Sequence, residues 1–253
     1  MKRNSLLLLS FCTIIMLSAC QKDKQEPDTN TSLSKVKTYT ESVTMSGGGT
    51  IAATYNLTYD ANNRITSVTQ ADVPGNKFVF SYTSDTKYSM DLFEAGEISV
   101  HEDIFLNSNA LPDSTFQYDN DEDTTTEKYI YNSKNQILTL KEYEYSTIYG
   151  SDIDNITTYT YDADGNVATT TDTNNQTETF EYYPDLVYAM PFTNPLLNST
   201  KAMNLVKTHQ ITSNGYLVGS IVNTYTFDSN KRISTITQTV DDGTVATQTF
   251  TYF

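Results

Sequence analysis

The stretch Tyr159-Thr160-Tyr161-Asp162-Ala163-Asp164-Gly165-Asn166-Val167 decides the fold of this chain. Its two tyrosines are two positions apart, so both rings lie on one face if the segment is a β-strand. Asp162 can hydrogen-bond the backbone of the turn that follows it. After the turn the chain returns in a second run of residues that favour strands. The stretch therefore predicts a β-hairpin with an aromatic pair on its first strand.

Four copies of this unit share the same offsets along the chain. Each has an apolar residue, an aromatic residue two positions later, Asp or Asn next, and Ile or Val after the turn. The copies are Leu57/Tyr59/Asp60/Ile65, Tyr129/Tyr131/Asn132/Ile137, Tyr159/Tyr161/Asp162/Val167 and Tyr225/Phe227/Asp228/Ile233. Their unequal spacing fits hairpins of unequal length in one antiparallel sheet better than a solenoid. Further aromatic pairs, expected in core-facing positions of the same sheet, are Phe80/Tyr82, Phe116/Tyr118, Phe180/Tyr182 and Phe250/Tyr252.

From Val36 onward the chain has the texture of an all-β domain. Short alternating runs of Thr, Tyr, Val and Ile are separated by turn residues, and helical periodicity is nearly absent. We predict a curved antiparallel meander of about 14–16 strands. A sheet that wide must curl, split or close to protect its edges, so a barrel-like or half-barrel shape is expected. The face opposite the aromatic residues is mostly polar, which argues against a barrel that spans lipid.

The segment 184–205 interrupts this texture. It contains Pro184, Pro191 and Pro195, which disfavour a regular central strand. It is also too apolar for a free loop. We predict an irregular or short helical insert that packs against the sheet and plugs one open end; core packing and ligand gating are its alternative roles.

The N-terminus predicts a secretory signal peptide at residues 1–19. The apolar run from Leu6 to Leu17 is too short to span a membrane and fits a signal-peptide core. Leu17-Ser18-Ala19-Cys20 resembles the lipobox of bacterial lipoproteins, which implies cleavage before Cys20 and acylation of its sulfur. Two or three acyl chains anchor a protein stably. The membrane is therefore an expected partner, through lipid on Cys20.

Residues 20–34 are polar and predict a flexible tether to a single β domain at 35–253. The tether includes Gln21-Lys22-Asp23-Lys24-Gln25-Glu26, which resembles the export signal of Bacteroidetes surface lipoproteins. This resemblance implies an outer-membrane location with the domain exposed at the cell surface. A plain polar linker is the alternative interpretation.

The composition excludes several classes of function. The formal net charge of −15 at pH 7 repels nucleic acid phosphates, so no nucleic-acid partner is expected. Cys12 lies in the predicted signal peptide and Cys20 is predicted to carry lipid, which leaves no cysteine for a disulfide, a thiol nucleophile or a zinc site. His101 and His209 lie on separate segments and are expected to be ordinary strand residues. We predict no cofactor.

One acidic cluster, Asp119, Asp121, Glu122 and Asp123, contains a weak calcium candidate. The alternate carboxylates of Asp119, Asp121 and Asp123 supply oxygen ligands of the kind that calcium prefers. The EF-hand spacing fails because Thr124 stands where glycine is needed, and a solvated turn is the alternative. A carboxylate pair elsewhere could hydrolyse a glycan, but 31 acidic residues make chance pairs common.

The four hairpin units resemble the Tyr-Asp repeats of Rhs-type and teneurin-type proteins. The chain from Cys20 onward is also similar to a Bacteroidetes lipoprotein family of unknown function, described as porin-like in fold. The four units and the stretches Asn194-Pro195-Leu196-Leu197 and Asn204-Leu205-Val206 carry this resemblance. It implies a curved, barrel-like antiparallel sheet and supplies no known activity.

These observations favour a non-catalytic binding or scaffold module that is tethered to the outer membrane and takes a glycan or a protein as its ligand. A carboxylate-dependent glycan hydrolase and a purely structural β-shell are the alternatives. The hydrolase requires two carboxylates in a cleft, one of them buried with a raised pKa. The binding module requires an exposed aromatic patch, and the shell requires a filled interior.

Replacing Cys20 by Ala tests the anchor. The variant is expected to keep its fold and to leave the membrane fraction, because no other cysteine remains to carry lipid after processing. Fractionation of cell envelopes followed by immunoblotting measures the change. A variant that stayed in the membrane fraction would contradict both the lipid anchor and a domain that is soluble without it.

Overall fold

The computed structural model describes residues 35–120, 123–146, 152–188 and 203–253. Its strands form one antiparallel sheet in which each strand pairs with its neighbours in sequence and the last pairs with the first. The strands are β1 (Val36–Thr44), β2 (Thr50–Tyr59), β3 (Ile65–Gln70), β4 (Lys77–Ser84), β5 (Lys87–Glu94), β6 (Glu97–Leu106), β7 (Pro112–Asp119), β8 (Thr124–Tyr131), β9 (Ile137–Tyr145), β10 (Asp152–Tyr161), β11 (Val167–Thr171), β12 (Gln176–Tyr188), β13 (Met203–Ser213), β14 (Tyr216–Phe227), β15 (Ile233–Val240) and β16 (Val245–Tyr252). The predicted antiparallel meander is confirmed, and it closes into a barrel, so none of the described strands is left as a sheet edge.

The four sequence units form equivalent hairpins at one end of the barrel, between β2 and β3, β8 and β9, β10 and β11, and β14 and β15. In the third unit the backbone N–H of Asp162 donates to the carbonyl of Asn166 at 2.9 Å. The Asp162 carboxylate accepts the backbone N–H of Asn166 at 2.9 Å. Gly165 has a φ of 89°, in the left-handed region that this three-residue loop requires.

A fifth hairpin of this kind at the same end of the barrel joins β6 to β7. The backbone N–H of Asn107 donates to the carbonyl of Leu111 at 2.8 Å, as Asp162 does to Asn166. The Asn107 side chain accepts the backbone N–H groups of Asn109 and Leu111. Leu106 stands where the other units have an aromatic residue, so this copy lacks the Tyr-Asp signal.

Each of these turns is followed by a β-bulge on the returning strand. In the first unit the pairing shifts between Thr58 and Tyr59, which pair with Ser67 and Ile65. Ile65 and Val68 are both buried although they are three positions apart, because the bulge inserts one extra residue. The bulge therefore decides which later side chains of the strand face the interior.

Tyrosine hydroxyls bond to backbone carbonyls at these bulges. In the third unit the Tyr161 hydroxyl donates to the carbonyl of Ile137 at 2.7 Å. The same contact recurs from an even-numbered strand to the preceding odd-numbered strand, always at a register shift. The pairs, which we call the tyrosine belt, are Tyr59–Val36, Tyr82–Ile65, Tyr131–Pro112, Tyr161–Ile137, Tyr182–Val167, Tyr225–Val206 and Tyr252–Ile233.

The interior and the exterior of the wall differ in chemistry. Inside lie two clusters of buried apolar and aromatic side chains, one around Tyr39 and Ile236 and the other around Leu140 and Phe180. Outside, much of the wall is threonine, and facing hydroxyls bond across strands, as between Thr160 and Thr169 at 2.7 Å. Among the described residues there is no helix with the length and apolar character to cross a membrane.

The predicted insert at 184–205 begins later than expected. Residues 184–188 continue β12, and residues 203–205 already belong to β13. Pro184 is tolerated in a strand because it lies where the pairing jumps from Tyr182 to Val187, so no regular ladder bond is lost there. The rest of the predicted insert lies outside the described residues.

Replacing Tyr161 by Phe tests the tyrosine belt. The change removes one hydroxyl and leaves the Ile137 carbonyl without its side-chain donor. We expect a loss of about 1–2 kcal/mol in the free energy of unfolding, measured by urea titration. Tyr216, whose side chain is 77% exposed, provides the matched control, and Tyr216→Phe should change stability little. Equal effects of the two substitutions would contradict a structural role for the belt.

Candidate functional site

The outer surface of β7 carries two exposed aromatic rings. Thr115 is 2% exposed and takes the inward position, so alternation places Phe116 and Tyr118 outside. Their side chains are 41% and 45% exposed. The prediction that the Phe116/Tyr118 pair belongs to the core is therefore wrong. The bulge at Pro112 determines which side chains of β7 face inward, and it places Thr115 on the inner face.

Strand β9 presents a second pair of exposed rings on the same side of the wall. Leu140 and Glu142 belong to its inward set, so Tyr143 and Tyr145 face outward and are 42% and 49% exposed. Strand β8 lies between the two pairs. Thr126 pairs with Phe116 on one side and with Tyr143 on the other.

The outer rings therefore stand on either side of a threonine floor. One row across the wall is Phe116–Thr126–Tyr143 and the next is Tyr118–Thr124–Tyr145. The strands that carry the rings are two positions apart in the sheet, so the rows are about 9–10 Å wide at the backbone. We call this surface the aromatic groove: Phe116, Tyr118, Tyr143 and Tyr145 along the floor formed by Thr124 and Thr126.

His101 braces one side of the aromatic groove. Its ring lies 5.0 Å from that of Tyr118. The Asp91 carboxylate holds the imidazole Nδ1 at 2.5 Å, and Asp103 lies 3.6 Å from Nε2. His101 thus links the exposed ring of Tyr118 to two carboxylates on the same outer face. Among the described rings, Phe116 does not contact Tyr143 and Tyr118 does not contact Tyr145, so the floor between them is open to solvent.

A pair of carboxylates lies on the opposite, inner side of the same wall. Glu102 on β6 is 7% exposed, and Glu127 on β8 points into the barrel as well. The Thr115 hydroxyl lies between them and donates to Glu127 at 3.4 Å. The Tyr129 hydroxyl also donates to Glu127. These contacts are the hydrogen bonds that buried carboxyl groups need.

The electrostatics of this pair favour its protonated form. Burial raises the pKa of Glu102 to about 7, and the neighbouring charge of Glu127 adds to the effect. Burial likewise raises the pKa of Glu127, although the hydrogen bond from Tyr129 opposes the shift. Glu142 stands directly opposite Glu127 in the register and raises its pKa further. Both carboxyl groups therefore lose their protons at higher pH than exposed carboxyl groups do.

The remaining predicted site residues lie at the end of the aromatic groove, in the interior, or outside the described residues. Asp119 and Asp123 close the turn between β7 and β8, and the Asp119 carboxylate accepts the backbone N–H of Asp123 at 3.0 Å. This hydrogen bond is the one expected if the acidic cluster forms a turn. Asp121 and Cys20 lie outside the described residues, and no group of possible metal ligands occurs within them. His209 faces the interior, stacked on Phe180 at 4.6 Å.

The fold is similar to solved porin-like proteins from Bacteroides. One, from Bacteroides uniformis ATCC 8492, aligns with a TM-score of 0.60 at 13% identity, over 86% of this chain and 96% of that one. Another, from Bacteroides vulgatus ATCC 8482, aligns with a TM-score of 0.49 at 13% identity, over 87% of this chain and 99% of that one. No protein-family model and no curated protein matches the chain. The likeness to the first structure shows a shared barrel fold, as the resemblance in sequence implied.

Replacing Glu102 by Gln tests the buried carboxylate pair. The pKa of Glu102 is raised to about 7 in the folded protein. The protein therefore loses free energy of unfolding as pH rises from the pKa that Glu102 has in the unfolded chain to its pKa in the folded state. The variant should therefore be more stable than the parent at pH 8, by on the order of 2–3 kcal/mol, and similar at pH 4. Urea unfolding at both values measures this. Glu97→Gln, at an exposed site, should leave the pH dependence unchanged; the same response from both would contradict the assignment.

Proposed function

We propose that this protein is a lipid-anchored, non-catalytic barrel of the outer membrane that binds polysaccharide along the aromatic groove. The observation that carries the proposal is the pair of rows Phe116–Thr126–Tyr143 and Tyr118–Thr124–Tyr145 on the outside of the wall. A monomeric barrel would normally turn such rings inward, where burial stabilises the fold. Four exposed rings around one strand therefore favour a binding role.

The chemistry of the groove suits a sugar chain. Aromatic faces pack against the apolar C–H faces of sugar rings, and tyrosine adds a hydroxyl at the edge of each ring. The hydroxyls of Thr124 and Thr126 can both donate and accept hydrogen bonds, as sugar hydroxyls do. The groove follows β8, so an extended polymer fits it better than a compact small molecule.

The predicted anchor places the groove where a polymer can reach it. Lipid on Cys20 would hold the chain in the membrane, and the polar tether at 20–34 would allow the barrel to stand off the bilayer. The polar, threonine-rich outer wall supports a barrel in water rather than one embedded in lipid. Surface exposure would give the groove access to polysaccharides outside the cell.

The hydrolase alternative finds partial support in the carboxylate pair. Glu102 is buried and its pKa is about 7, which is one requirement of a general acid. However, its side chain is 7% exposed and faces the interior, whereas the aromatic rings that would hold a glycan lie on the outside. A polymer held in the groove would be separated from Glu102 by the wall itself. Binding without hydrolysis therefore agrees better with the placement of both sets of residues.

Affinity electrophoresis tests the proposed function. The full chain, purified in detergent micelles, is run through gels that contain dextran, galactan, xylan or polygalacturonate. At least one polymer should retard it, and Phe116→Ala or Tyr143→Ala should weaken that binding about five- to tenfold, since each ring contributes about 1 kcal/mol.

Tyr216→Ala is the matched control, because Tyr216 is exposed but lies on β14, away from the groove. It should migrate as the parent does. Failure of all four polymers to retard the parent would contradict polysaccharide binding. Equal losses in the groove variants and in Tyr216→Ala would instead show that the groove is not the binding surface.

A further inference from the structure

Two lysines continue the aromatic groove along the outer wall. Lys128 lies two residues after Thr126 on the floor strand β8, and Lys141 lies two residues before Tyr143 on β9, so both are nearer to the β8–β9 hairpin than the aromatic rows. The two residues stand directly opposite each other in the strand register. Their Cβ atoms are therefore about 4.5–5.5 Å apart on the same outer face.

This arrangement is unfavourable in the protein alone. Like charges directly opposite on neighbouring strands destabilise a sheet. Within the described part of the chain neither amine forms an ion pair with a carboxylate, although the chain has 31 acidic residues and a net charge of −15. A paired cationic site at the end of a groove, on a strongly acidic protein, is the complement of an anionic ligand.

We infer that the aromatic groove takes an acidic polysaccharide, whose carboxylate or sulfate groups are held by Lys128 and Lys141 while its sugar rings lie between the aromatic side chains. This inference rests on the proposed function and specifies its substrate class. The aromatic rows would contact the sugar rings independently of charge, and the lysine pair would select polymers that carry a negative group. Binding would also relieve the repulsion between the two amines.

Two other occupants of this surface are less consistent with the same residues. A second copy of the chain carries the same net charge of −15, so two copies that faced each other across this surface would repel overall. An anionic membrane surface attracts clusters of several basic residues, whereas here two lysines lie on a barrel of large negative charge. The open aromatic rows beside the lysines favour an extended sugar chain over either.

Calorimetric titration distinguishes these possibilities. The full chain in neutral detergent micelles is titrated with an oligogalacturonate fragment and with an uncharged galactan fragment of equal length. The acidic fragment should bind at least tenfold more tightly, and its affinity should fall as salt is added. The double variant Lys128→Gln/Lys141→Gln should lose at least tenfold in affinity for the acidic fragment and most of the salt dependence.

The matched control is Lys37→Gln/Lys207→Gln, which changes the net charge equally at two exposed lysines on β1 and β13, away from the groove. It should change the affinity less than twofold.

Equal binding of both fragments, unchanged in the double variant, would overturn the acidic specificity and leave polysaccharide binding intact. If neither fragment binds, the acidic specificity is overturned. If, in addition, none of the polymers in the gels retards the parent protein, the proposed function is overturned as well. Lysine-dependent binding to phosphatidylglycerol vesicles, with no binding of the acidic fragment, would overturn the inference in favour of a membrane surface.

Discussion

The interaction on which the rest of this barrel depends is the hydrogen bond from a tyrosine hydroxyl to the carbonyl at a β-bulge. A bulge disrupts the ladder, and a buried carbonyl that loses its partner costs free energy. The tyrosine belt supplies the missing donor from the strand next door, as Tyr161 does for Ile137. Burial of the ring and satisfaction of the carbonyl are therefore obtained from one side chain. Because the belt recurs around the barrel, almost every second strand can have a bulge at one end without leaving a carbonyl unpaired.

The bulges in turn determine which residues face outward. Side chains alternate along a strand, so one inserted residue exchanges the inner and outer sets beyond it. On β7 the bulge gives the inward site to Thr115 and leaves Phe116 outside. The exposed aromatic groove is thus a consequence of backbone register. It needs no local excess of aromatic residues, and the same pairs elsewhere, such as Phe250 with Tyr252, remain on the inner face.

This dependence explains what could be predicted from the sequence. The hairpins, the all-β class and the wide antiparallel sheet follow from local signals, because Tyr-Asp pairs and turn residues act over a few positions. The aromatic groove could not be predicted, since the facing of Phe116 depends on a bulge at Pro112 that carries no Tyr-Asp signal. The copy at Asn107, where Leu106 replaces the aromatic residue, shows the same limit. The buried carboxylates were equally hidden, because Glu102 is distinguished from other acidic residues only by its partners across strands.

The two apolar clusters inside the barrel bear on the likeness to porin-like proteins. A shared fold does not carry a shared activity, and a barrel acts as a passage only if its lumen is open. Here Tyr39 and Ile236 belong to one interior cluster and Leu140 and Phe180 to another, and Glu102 and Glu127 are hydrogen-bonded within the wall's inner face. Moving a solute through this interior would expose apolar surface and break those hydrogen bonds. The outer wall carries no such cost, because its rings and lysines already face solvent. A ligand is therefore expected on the outside of the barrel, where binding leaves the tyrosine belt and the core undisturbed.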